Sequence, residues 1–418
     1  MQSLPGFRDF LPNDCAARNY IFARWREVCR RYGFVEWDGP VLEPTDLYKK
    51  KSGPEIVAQL FSFTDKGERE VAMRPELTPT LARVIAAHER EFKKPLKWFS
   101  IPQCFRYEKQ QRGRLREHFQ LNCDIIGDQS SGADVELIAL CIDLLREVGL
   151  AADDFVVRIS DRAAWDRFLP DFGIGPEQKA DFLNVIDKLD REEVEKIQPK
   201  LELFGVSVAR LMAFLANANL EWFAPLREQL ETRDLLQYCE FNLRIVRGLA
   251  YYTGVVFEVF DRPRKFRAIA GGGRYDTLIH QLSDGAVDFP AVGFAMGDVV
   301  LGELIKEVPS ARKKMEEAIQ SQHDLQIYAV IAKEERRPDA LQLIQTLRDN
   351  GYRVDYSLTP AKVGKQFQTA EQLGARLAVL FGDEWPQLKL KDLCTGDQSL
   401  VPREELPARV ATLLSSRA

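Results

Sequence analysis

Residues 98–127 read WFSIPQCFRYEKQQRGRLREHFQLNCDIIG, and this stretch decides the fold prediction for the chain. The apolar segment 97–107 predicts a strand, and FQLNCDIIG, 119–127, predicts a second strand that returns beside it. The polar segment 108–117 between them is longer than a tight turn needs. The pattern therefore predicts an antiparallel hairpin within a mixed α+β domain.

Polar side chains recur on the second of these strands. Gln120, Asn122 and Asp124 alternate with apolar residues, and a strand points alternate side chains to one face. A half-exposed strand has this pattern by default, and a pocket that binds a polar ligand has it too. Both interpretations stay open at this point.

The composition of the chain narrows the function classes. With 418 residues, 45% hydrophobic and 29% charged, the chain is expected to form about two or three globular domains. It contains no apolar run of roughly 18 residues and no secretory signal, so neither a membrane span nor a membrane partner is expected. Seven scattered cysteines without a CxxC pair predict reduced thiols and a cytoplasmic protein.

The spacing of the histidines indicates whether a metal site is expected, and the net charge indicates whether general nucleic-acid binding is expected. None of the four histidines lies three or four residues from another, so no metal site formed by the protein alone is expected. The net charge of −5 argues against a general nucleic-acid coat but allows a local basic patch.

Changes of pattern along the chain predict its domain organisation. Charged and apolar residues alternate at helical spacing from 162 to 236, which predicts a helical insertion. Strand–helix–strand patterns from 325 onwards predict a small α/β domain with a largely parallel sheet. The predicted parts are an α+β core formed by 1–161 and 237–306, the insertion 162–236, a polar linker 307–324, and the α/β domain 325–418.

Three further segments of the core have predicted local structures. FNLRIV, 241–246, predicts a strand. The glycine cluster AGGGRYD, 270–276, predicts a turn, because it lacks the residue spacing of phosphate-binding loops. GFAMGDVVLGELI, 293–305, predicts the start of a helix.

The hairpin also carries a cluster of cations. Arg106, Lys109, Arg112, Arg114 and Arg116 are all positively charged. Arginine has a planar, permanently charged group that suits phosphate oxygens. We expect Arg106 at a strand end, where a fixed cation suits a small phosphate substrate, and the last three arginines on a mobile loop that suits a polynucleotide. A solvated charged hairpin is the alternative.

RPELTPTLAR, 74–83, places polar groups at the start of a predicted helix. Thr78 precedes Pro79, so one interpretation makes Thr78 the N-cap of that helix. The other interpretation is that Glu76 receives an ammonium group. The segment alone favours neither.

IVRGLAYYTGVVFEVF, 245–260, carries Arg247, Tyr251 and Tyr252 beside glycines that let a ligand approach the backbone closely. Tyrosine supplies a flat wall and a hydroxyl group, and Arg247 can neutralise a phosphate. A bulged strand with aromatic core packing is the alternative.

In their order and spacing, these segments resemble the histidyl-tRNA synthetases, a family of class II aminoacyl-tRNA synthetases. The strings that carry the resemblance are PGFRDFLP, PVLEPTDLYKKKSG, RPELTPTLAR, FRYEKQQRGRLREHFQLNCDIIG, VRGLAYYTGVVFE, AGGGRYD and GFAMG. VRGLAYYTG and GGGRYD resemble the two histidine-specific signatures of the family. The resemblance implies a class II antiparallel sheet core with a helical insertion, followed by a C-terminal α/β domain like the family's anticodon-binding domain.

The resemblance implies a histidine–tRNA ligase, which activates histidine with ATP to histidyl-adenylate and transfers the histidyl group to tRNA-His. The implied partners are tRNA-His, histidine, ATP with Mg²⁺, and a second copy of the chain in a homodimer with Pro40 at its interface. No tightly bound organic cofactor is implied. The alternative is a catalytically silent paralogue, such as the histidine-sensing regulatory subunit of ATP phosphoribosyltransferase.

The resemblance also assigns residues to sites. The implied catalytic residues at the α-phosphate are Arg106 and Arg247. The implied histidine site comprises Glu76, Thr78, Gln120, Asp124, Tyr251, Tyr252 and Tyr275. The implied ATP site comprises Arg106, Glu108, Arg114, His118 and Arg247, and the implied contacts with the tRNA acceptor end come from Gln111, Arg112 and Arg116.

The sequence departs from the family's pattern at three positions. Val300 stands where most members carry the motif 3 arginine, and Ala250 stands where the common string RGLDYY has aspartate. His118 takes the place of an aromatic residue that commonly lies over the adenine. These changes resemble a branch of the family that includes organelle-type enzymes, and Arg274 is a candidate to replace the missing cation.

Overall fold

The structure is a computed structural model that describes residues 2–50, 54–108, 115–175, 177–186, 188–189, 193–217, 220–244, 251–323 and 325–415. The chain divides into two compact units, Met1–Glu316 and Glu317–Ala418. Within the described ranges, no helix is both long enough and apolar enough to cross a membrane.

The first unit is built on one large sheet. The first unit also contains a smaller sheet. The strands of the two sheets, in chain order, are β1 (Val35–Glu36), β2 (Leu42–Pro44), β3 (Ser62–Thr64), β4 (Glu70–Met73), β5 (Leu96–Ser100), β6 (Gln103–Phe105), β7 (Glu117–Ile126), β8 (Phe155–Asp161), β9 (Cys239–Phe241), β10 (Val255–Asp261), β11 (Ala270–Arg274) and β12 (Ala291–Gly297). Nine of the described strands form the large sheet in the order β1-β5-β7-β12-β11-β10-β8-β9, with β6 also paired to β7. Its neighbours run antiparallel except in the β1/β5 and β8/β9 pairs. The smaller sheet has the order β2-β4-β3.

The predicted hairpin lies within the large sheet. β5 and β6 both pair antiparallel with β7, with Phe99 opposite Cys123 and Cys104 opposite His118. Pro102, which has no backbone N–H to donate, lies between β5 and β6. The hairpin prediction is therefore confirmed, with its first arm divided into two short strands.

Thirteen helices lie in the described part of residues 2–323. They are α1 (Pro12–Arg31), α2 (Thr45–Lys49), α3 (Pro54–Ala58), α4 (Thr78–Ala87), α5 (Ser131–Glu147), α6 (Arg162–Phe168), α7 (Lys179–Ile186), α8 (Val194–Glu202), α9 (Val208–Asn217), α10 (Ala224–Thr232), α11 (Leu278–Leu282), α12 (Asp298–Glu307) and α13 (Pro309–His323). Between β8 and β9, the described residues contain α6 to α10 and short 3₁₀ turns but no strand. This agrees with the helical character predicted for the insertion.

The two faces of β7 have different neighbours. Its odd-numbered side chains face α1, because the sulfur atoms of Cys29 and Cys123 are 3.6 Å apart and the ring centroids of Phe22 and Phe119 are 5.1 Å apart. Its even-numbered side chains, including Asp124, point to the opposite side of the sheet. That opposite side carries the candidate site.

The segment predicted as a polar linker, 307–324, contains α13. The beginning of this helix packs against the end of α5, where Ala311 is buried and the Lys314 ammonium group donates to the Glu147 carbonyl. A polar sequence with widely spaced apolar residues such as Ala311 and Met315 is typical of a helix with one narrow buried face.

The second unit is a smaller sheet with helices. Its elements are β13 (Ile327–Ile331), α14 (Arg337–Asp349), β14 (Val354–Tyr356), α15 (Val363–Gln372), β15 (Leu377–Phe381), β16 (Gln387–Asp392), β17 (Gln398–Pro402) and α16 (Leu406–Ser415). The strand order is β14-β13-β15-β16-β17, and the first three strands are parallel. The sequence prediction of a small α/β domain is confirmed, but it missed the antiparallel hairpin β16/β17.

Both faces of this second sheet are buried. Ile327 and Ile331 pack in one apolar cluster with Leu343 of α14. Tyr328 and Val330, which alternate with them, pack on the other side near α15. Burial on both faces is the expected property of parallel strands connected by helices.

Three local predictions for the core are wrong in whole or in part. The glycine cluster forms β11, which is hydrogen-bonded to a strand on each side, so it is not a turn. GFAMG, 293–297, forms the end of β12, and the helix begins only at Asp298. The strand predicted for 241–246 ends at Phe241, because Asn242 Oδ1 accepts the Arg244 N–H and turns the chain.

Candidate active site

A buried carboxyl group occupies the pocket face of β7. Asp124 is 4% exposed, and its Oδ1 accepts a hydrogen bond from the Tyr275 hydroxyl at 2.5 Å. Burial raises the pKa of Asp124 to about 7, although the hydrogen bond from Tyr275 acts in the opposite direction. The group therefore changes protonation near neutral pH, and it can pair with a ring N–H or a ring nitrogen.

Two glycines of the neighbouring strands make room for the pocket side chains. Gly293 on β12 pairs with Asp124, and a Cβ at this position would lie 2.0 Å from the Asp124 Oδ1. A Cβ at Gly273 on β11 would lie 3.2 Å from Cδ1 of Tyr252 and 2.8 Å from a methyl group of Val256. Both positions therefore need glycine because of close contacts, and not because of unusual backbone angles.

Three tyrosines and a buried glutamate form the adjoining wall. The Tyr251 hydroxyl donates to Glu76 Oε2 at 3.1 Å, and Glu76 is 2% exposed. The centroid of the Tyr251 ring lies 5.3 Å from that of Tyr252 and 5.9 Å from that of Tyr275, both nearly edge-on. The structure thus brings together side chains that the sequence placed in the histidine site.

Thr78 belongs to the same wall. It is the first residue of α4, Leu77 precedes the helix, and no side chain caps the N-terminus. The Thr78 side chain instead lies close enough to Tyr251 to oppose the rise that burial causes in the pKa of the Tyr251 hydroxyl. The N-cap interpretation of Thr78 is therefore wrong.

Polar side chains continue along the pocket face of β7 towards its beginning. The Gln120 amide donates to Asn122 Oδ1 at 3.2 Å, and Nε2 of His118 lies 3.2 Å from Gln120 Oε1. Burial, together with the positive charge of Arg106, lowers the pKa of His118 to about 4. The imidazole is therefore neutral at neutral pH, and its ring offers a flat surface without charge.

Arg106 directly follows β6, so its predicted position at a strand end is confirmed. Its Nε donates to the Pro75 carbonyl at 3.0 Å, and its backbone N–H donates to the Arg116 carbonyl at 2.9 Å. The guanidinium group is therefore fixed beside Glu76, the next residue after Pro75. This cation lies close enough to His118 to affect its titration.

Arg116 is held against the hairpin. Its guanidinium carbon lies 4.2 Å above the centroid of the Tyr107 ring, and its Nε donates to the Glu108 carbonyl at 3.4 Å. Its backbone N–H donates to Gly6, so the backbone is paired on both sides. These contacts correct the expectation that Arg116 lies on a mobile loop. The Glu108 side chain is 7% exposed and lies on the same arm of the hairpin.

Several predicted positions lie outside the described residues. They are Gln111, Arg112, Arg114, Arg247 and Ala250. The convergence of Arg106 and Arg247 on one phosphate therefore stays a prediction. Val300 lies in the first turn of α12 and is 9% exposed.

Arg274 does not replace the missing motif 3 arginine. Its Nε and Nη2 both contact Asp134 Oδ1, at 3.0 and 2.9 Å. Its remaining N–H groups donate to the carbonyls of Asp128 and Ser130 and to Asp276 Oδ1. Four hydrogen bonds and the ion pair with Asp134 thus hold this buried guanidinium group within the protein and direct it away from a phosphate.

Two arginines that border the site were not predicted from the sequence. Arg74 is 3% exposed, and it donates to Asp38 Oδ1 at 2.7 Å and to the Gln103 carbonyl at 2.9 Å, which fixes β6. Arg162 donates from Nη1 to the Tyr252 carbonyl at 3.0 Å. The available signals were an arginine before Pro75 and an arginine directly after a buried strand, and neither pattern alone indicates a function.

This arrangement can bind a small zwitterion with a polar ring. Glu76, with Thr78 and Tyr251 beside it, offers oxygen acceptors for an ammonium group. Asp124 can exchange a hydrogen bond with a ring nitrogen. Arg106 supplies a fixed positive charge next to the glutamate, where a phosphate can be neutralised.

Comparisons with known proteins agree with this chemistry. Residues 6–301 match the family model of histidyl-tRNA synthetase, and residues 324–413 match that of an anticodon binding domain. The crystal structure of histidyl-tRNA synthetase from Nostoc sp. PCC 7120 has the same fold, with a TM-score of 0.76, 24% identity and 99% of both chains covered. The predicted α+β core with a C-terminal anticodon-binding-like domain is confirmed.

Two curated relatives are more similar to this chain in sequence than the Nostoc protein is. A histidine–tRNA ligase of Opitutus terrae is 44% identical in an alignment that covers 99% of each chain. The chloroplastic/mitochondrial histidine–tRNA ligase of Arabidopsis thaliana is 38% identical, with 96% of this chain and 85% of the relative covered. The family predicted from the sequence is confirmed, and the chain belongs to the histidyl-tRNA synthetase family.

Proposed function

We propose that this chain is a histidine–tRNA ligase. The observation that carries the proposal is that the buried Asp124–Tyr275 pair is linked to Glu76 through Tyr251, because this offers one partner for an imidazole and one for an ammonium group close together. The curated relatives named above bear this activity in their names. The second unit and the retained cations of the hairpin favour the ligase over the regulatory subunit of ATP phosphoribosyltransferase.

In the proposed histidine site, each group has a distinct role. Glu76, supported by Thr78 and Tyr251, receives the ammonium group of histidine. Asp124, oriented by Tyr275, pairs with the imidazole. Gln120 and Tyr252 complete the site, as the resemblance to the family implies. A ligand without a ring nitrogen cannot pair with Asp124, whose carboxyl group then keeps only the Tyr275 hydroxyl as a partner, and that cost favours histidine over apolar amino acids.

In the proposed first step, a carboxylate oxygen of histidine attacks the α-phosphorus of ATP, and pyrophosphate leaves. Negative charge then concentrates on the α-phosphate. Arg106 and Arg247 stabilise it, with Arg106 held in advance by the Pro75 carbonyl. Glu108, Arg114 and His118 complete the proposed ATP site, where the neutral ring of His118 lies against the adenine.

Mg²⁺ accompanies ATP in this proposal and screens the phosphate charge. In the described ranges, no group of three His, Cys, Asp or Glu side chains is arranged to hold a metal ion. A Mg²⁺ ion that accompanies a nucleotide is usually held by phosphates and water with one or two carboxylates, and Glu108 is the carboxylate proposed here.

In the proposed second step, a ribose hydroxyl at the 3′ end of tRNA-His attacks the carbonyl carbon of histidyl-adenylate, and AMP leaves. Gln111, Arg112 and Arg116 are the proposed contacts with the acceptor end. The anticodon contacts are proposed for 325–418, within the range that matches an anticodon binding domain. The catalytic core is proposed as 1–161 and 237–306, with 162–236 as its insertion and 307–324 as the linker.

We also propose a homodimer. Apolar side chains are exposed around Pro40: Val35, Val41, Leu42 and Phe63 are 62%, 44%, 45% and 48% exposed. A second copy would cover them. A cytoplasmic location is proposed because all seven cysteines are free thiols, and a reducing compartment maintains that state.

Histidine-dependent exchange of pyrophosphate into ATP tests the first step, and charging of a tRNA-His transcript tests the second. We expect exchange with histidine and none above background with the other amino acids. Purified protein that binds histidine but supports no exchange would be the regulatory paralogue instead.

A further inference from the structure

The segment 6–10 belongs to the string PGFRDFLP and packs against the hairpin. The ring centroids of Phe7 and Phe105 are 6.4 Å apart, and those of Phe10 and Phe119 are 6.1 Å apart. Phe105 ends β6, and Phe119 lies near the beginning of β7. The N-terminal segment thus contacts both strands of the hairpin.

Arg8 lies in the middle of this segment and makes its polar contacts. The Arg8 Nε donates to Glu117 Oε1 at 2.6 Å, and Nη2 donates to Glu117 Oε2 at 3.3 Å. The Arg8 Nη1 donates to Asp298 Oδ2 at 2.9 Å. Glu117 is the first residue of β7, and Asp298 is the first residue of α12. One guanidinium group therefore joins the N-terminal segment to a strand and to a helix, with two hydrogen bonds to one carboxylate.

The two carboxylates extend these contacts into the hairpin. Glu117 Oε2 also accepts a hydrogen bond from Nε2 of Gln103, the first residue of β6, at 2.9 Å. Asp298 Oδ1 accepts the Phe119 backbone N–H at 2.9 Å. Gln103 and Phe119 are themselves paired across β6 and β7. Through its two partners, Arg8 therefore holds the residues on both sides of His118.

These contacts lie on the face of the sheet opposite to the proposed ATP site. Glu117 and Phe119 are odd-numbered residues of β7, and the side chain of His118 between them projects to the other side. Besides burial and Arg106, the charges of Glu117 and Arg8 bear on the pKa of His118, so the pair lies close to that residue. Arg8 can therefore influence His118 without touching a ligand.

Both carboxylates depend on Arg8 because they are buried. Glu117 is 1% exposed and Asp298 is 5% exposed, whereas the Arg8 side chain is 25% exposed. Burial raises the pKa of Asp298, and the charge of Arg8 acts in the opposite direction. A buried carboxylate that loses its cation must take up a proton or move. Either change alters the hydrogen bonds that hold the hairpin.

We propose that Arg8 is a positioning residue for the ATP site. It fixes Glu117 and Asp298, and these hold β6 and β7 at the points from which Arg106 and His118 project. Arg8 itself touches neither ATP nor histidine. This inference rests on the proposed function, in which Arg106 and His118 bind ATP. A displacement of about 1 Å at such positions can cost up to ~10²-fold in rate.

The test compares Arg8→Met with the wild-type protein in pyrophosphate exchange. Methionine keeps an unbranched apolar side chain without the charge and the donors. We expect KM for ATP to rise about 10-fold, while KM for histidine changes by less than about twofold. The histidine site should be spared because Asp124 lies further along β7, where Tyr275 and the pairing with Gly293 hold it. Equal changes in the two constants would overturn the proposal.

Arg8→Lys is the conservative variant. Lysine keeps the charge but lacks the planar group that binds both oxygens of Glu117, so KM for ATP should rise only about threefold. This variant also decides the case in which Arg8→Met does not fold. A wild-type KM for ATP in Arg8→Lys would then overturn the proposal.

Arg18→Met is the matched control. The Arg18 guanidinium carbon lies 4.6 Å from the centroid of the Phe10 ring, on the same side of the sheet, but its Nη2 hydrogen-bonds to Asn19 of its own helix. Arg18→Met should leave both KM values unchanged. A rise in KM for ATP equal to that of Arg8→Met would show that packing around Phe10 is the cause, and it would contradict the role of Arg8.

A double variant tests the route of the effect. Glu117→Gln alone should raise KM for ATP, because it removes the charge that Arg8 binds. If Arg8 acts through Glu117, the value for Arg8→Met with Glu117→Gln should stay within about twofold of that for Arg8→Met. Independent, multiplied increases would overturn the proposal.

Hydrogen exchange separates this inference from the proposed function. The Phe119 N–H donates to Asp298, and the Arg106 N–H donates to the Arg116 carbonyl at 2.9 Å. Protection of both N–H groups should decrease in Arg8→Met and remain unchanged in Arg18→Met. Unchanged protection in Arg8→Met would overturn the inference even if the wild-type protein is active. A wild-type protein without pyrophosphate exchange would instead refute the ligase proposal.

Discussion

Arg106 is the described arginine that is proposed to stabilise the α-phosphate. Its position depends on the Pro75 carbonyl, so the guanidinium is oriented before a substrate arrives. Arg106→Ala should lower the rate of histidine-dependent pyrophosphate exchange at least ~10²-fold, the scale expected for the loss of one preorganised charge. The same loss is expected for Arg247→Ala.

Arg158→Ala provides the control for these two substitutions. Arg158 lies on β8 of the same sheet and pairs at 3.2 Å with Glu240 of the edge strand β9. Its exchange rate should match that of the wild-type protein. Near-normal exchange in both Arg106→Ala and Arg247→Ala would contradict the roles assigned to them.

Asp124 predicts a specific dependence of stability on pH. Its folded pKa of about 7 lies above the unfolded value of about 3.9, so between these values the folded state keeps a proton that the unfolded state releases. The free energy of unfolding should therefore fall as the pH rises from about 4 to about 7, and this contribution should level off above pH 7. Asp124→Asn should remove this slope.

Urea unfolding at pH 5 and pH 8 measures the difference. From pH 5 to pH 8, the free energy of unfolding of Asp124→Asn should rise by about 2 to 4 kcal/mol relative to that of the wild-type protein. Asp284→Asn is the control, since its side chain is 80% exposed. Parallel pH profiles for wild type and Asp124→Asn would show that the carboxyl is ionised throughout.

At the residue scale, the sequence pattern predicts which side chains share a face but not which partners they meet. Alternation along 119–127 placed Gln120 and Asp124 together. The contact of Asp124 with Tyr275 joins residues 151 positions apart, and it depends on the order of β7, β12 and β11. Arg274 lies within a histidine-specific signature, so the sequence made it a candidate cation for the ligand. In the structure it pairs with Asp134 and with backbone carbonyls, and no local sequence pattern indicates these partners.

At the scale of the elements, two glycines of β12 can be compared, because a methyl group would meet close neighbours at Gly293 but none at Gly297. Gly293→Ala places a methyl group where the Asp124 carboxyl lies, so the carboxyl must move. KM for histidine should rise about 10-fold or more, with a smaller effect on KM for ATP. Steady-state exchange kinetics at varied histidine and ATP concentrations measure both constants.

Gly297→Ala is the matched control on the same strand. A Cβ at Gly297 meets no atom within 4 Å, so the substitution should leave both constants unchanged. Equal effects of the two substitutions would indicate a general loss of strand stability and would contradict a specific contact with Asp124.

The strands β11 and β16 were not predicted from the sequence, and their residue patterns differ. A glycine cluster predicts a turn when only its backbone freedom is considered, but β11 uses glycine because adjacent side chains occupy the space of a Cβ. β16 alternates Leu388 and Leu390 with Lys389 and Lys391, which is the pattern of a half-buried strand. The helical character of 162–236 was predicted because burial of one helix face follows from periodicity alone.

At the scale of the whole molecule, the two units have separate apolar cores. Removal of 325–418 should therefore leave pyrophosphate exchange within about threefold of wild type. Charging of tRNA-His should fall at least about 10²-fold, because anticodon contacts no longer raise the local concentration of the acceptor end. Loss of exchange and charging to the same extent would contradict independent roles for the two units.

The proposed dimer can be tested by a charge on its apolar face. Leu42→Asp should shift the protein to a monomer in analytical ultracentrifugation, because an unpaired carboxylate would be buried against the second copy. Leu358→Asp is the control, since Leu358 is 79% exposed in the second unit. Identical sedimentation of wild type and Leu42→Asp would place the interface elsewhere.

β7 carries both His118, proposed for the adenine, and Asp124, proposed for the imidazole. An extended chain advances about 3.3 Å per residue, so the strand itself fixes the distance between these two residues at roughly 20 Å. Loss of one residue between them would reverse the side on which the far group projects, so natural variation in this stretch should consist of exchanges and never of changes in length.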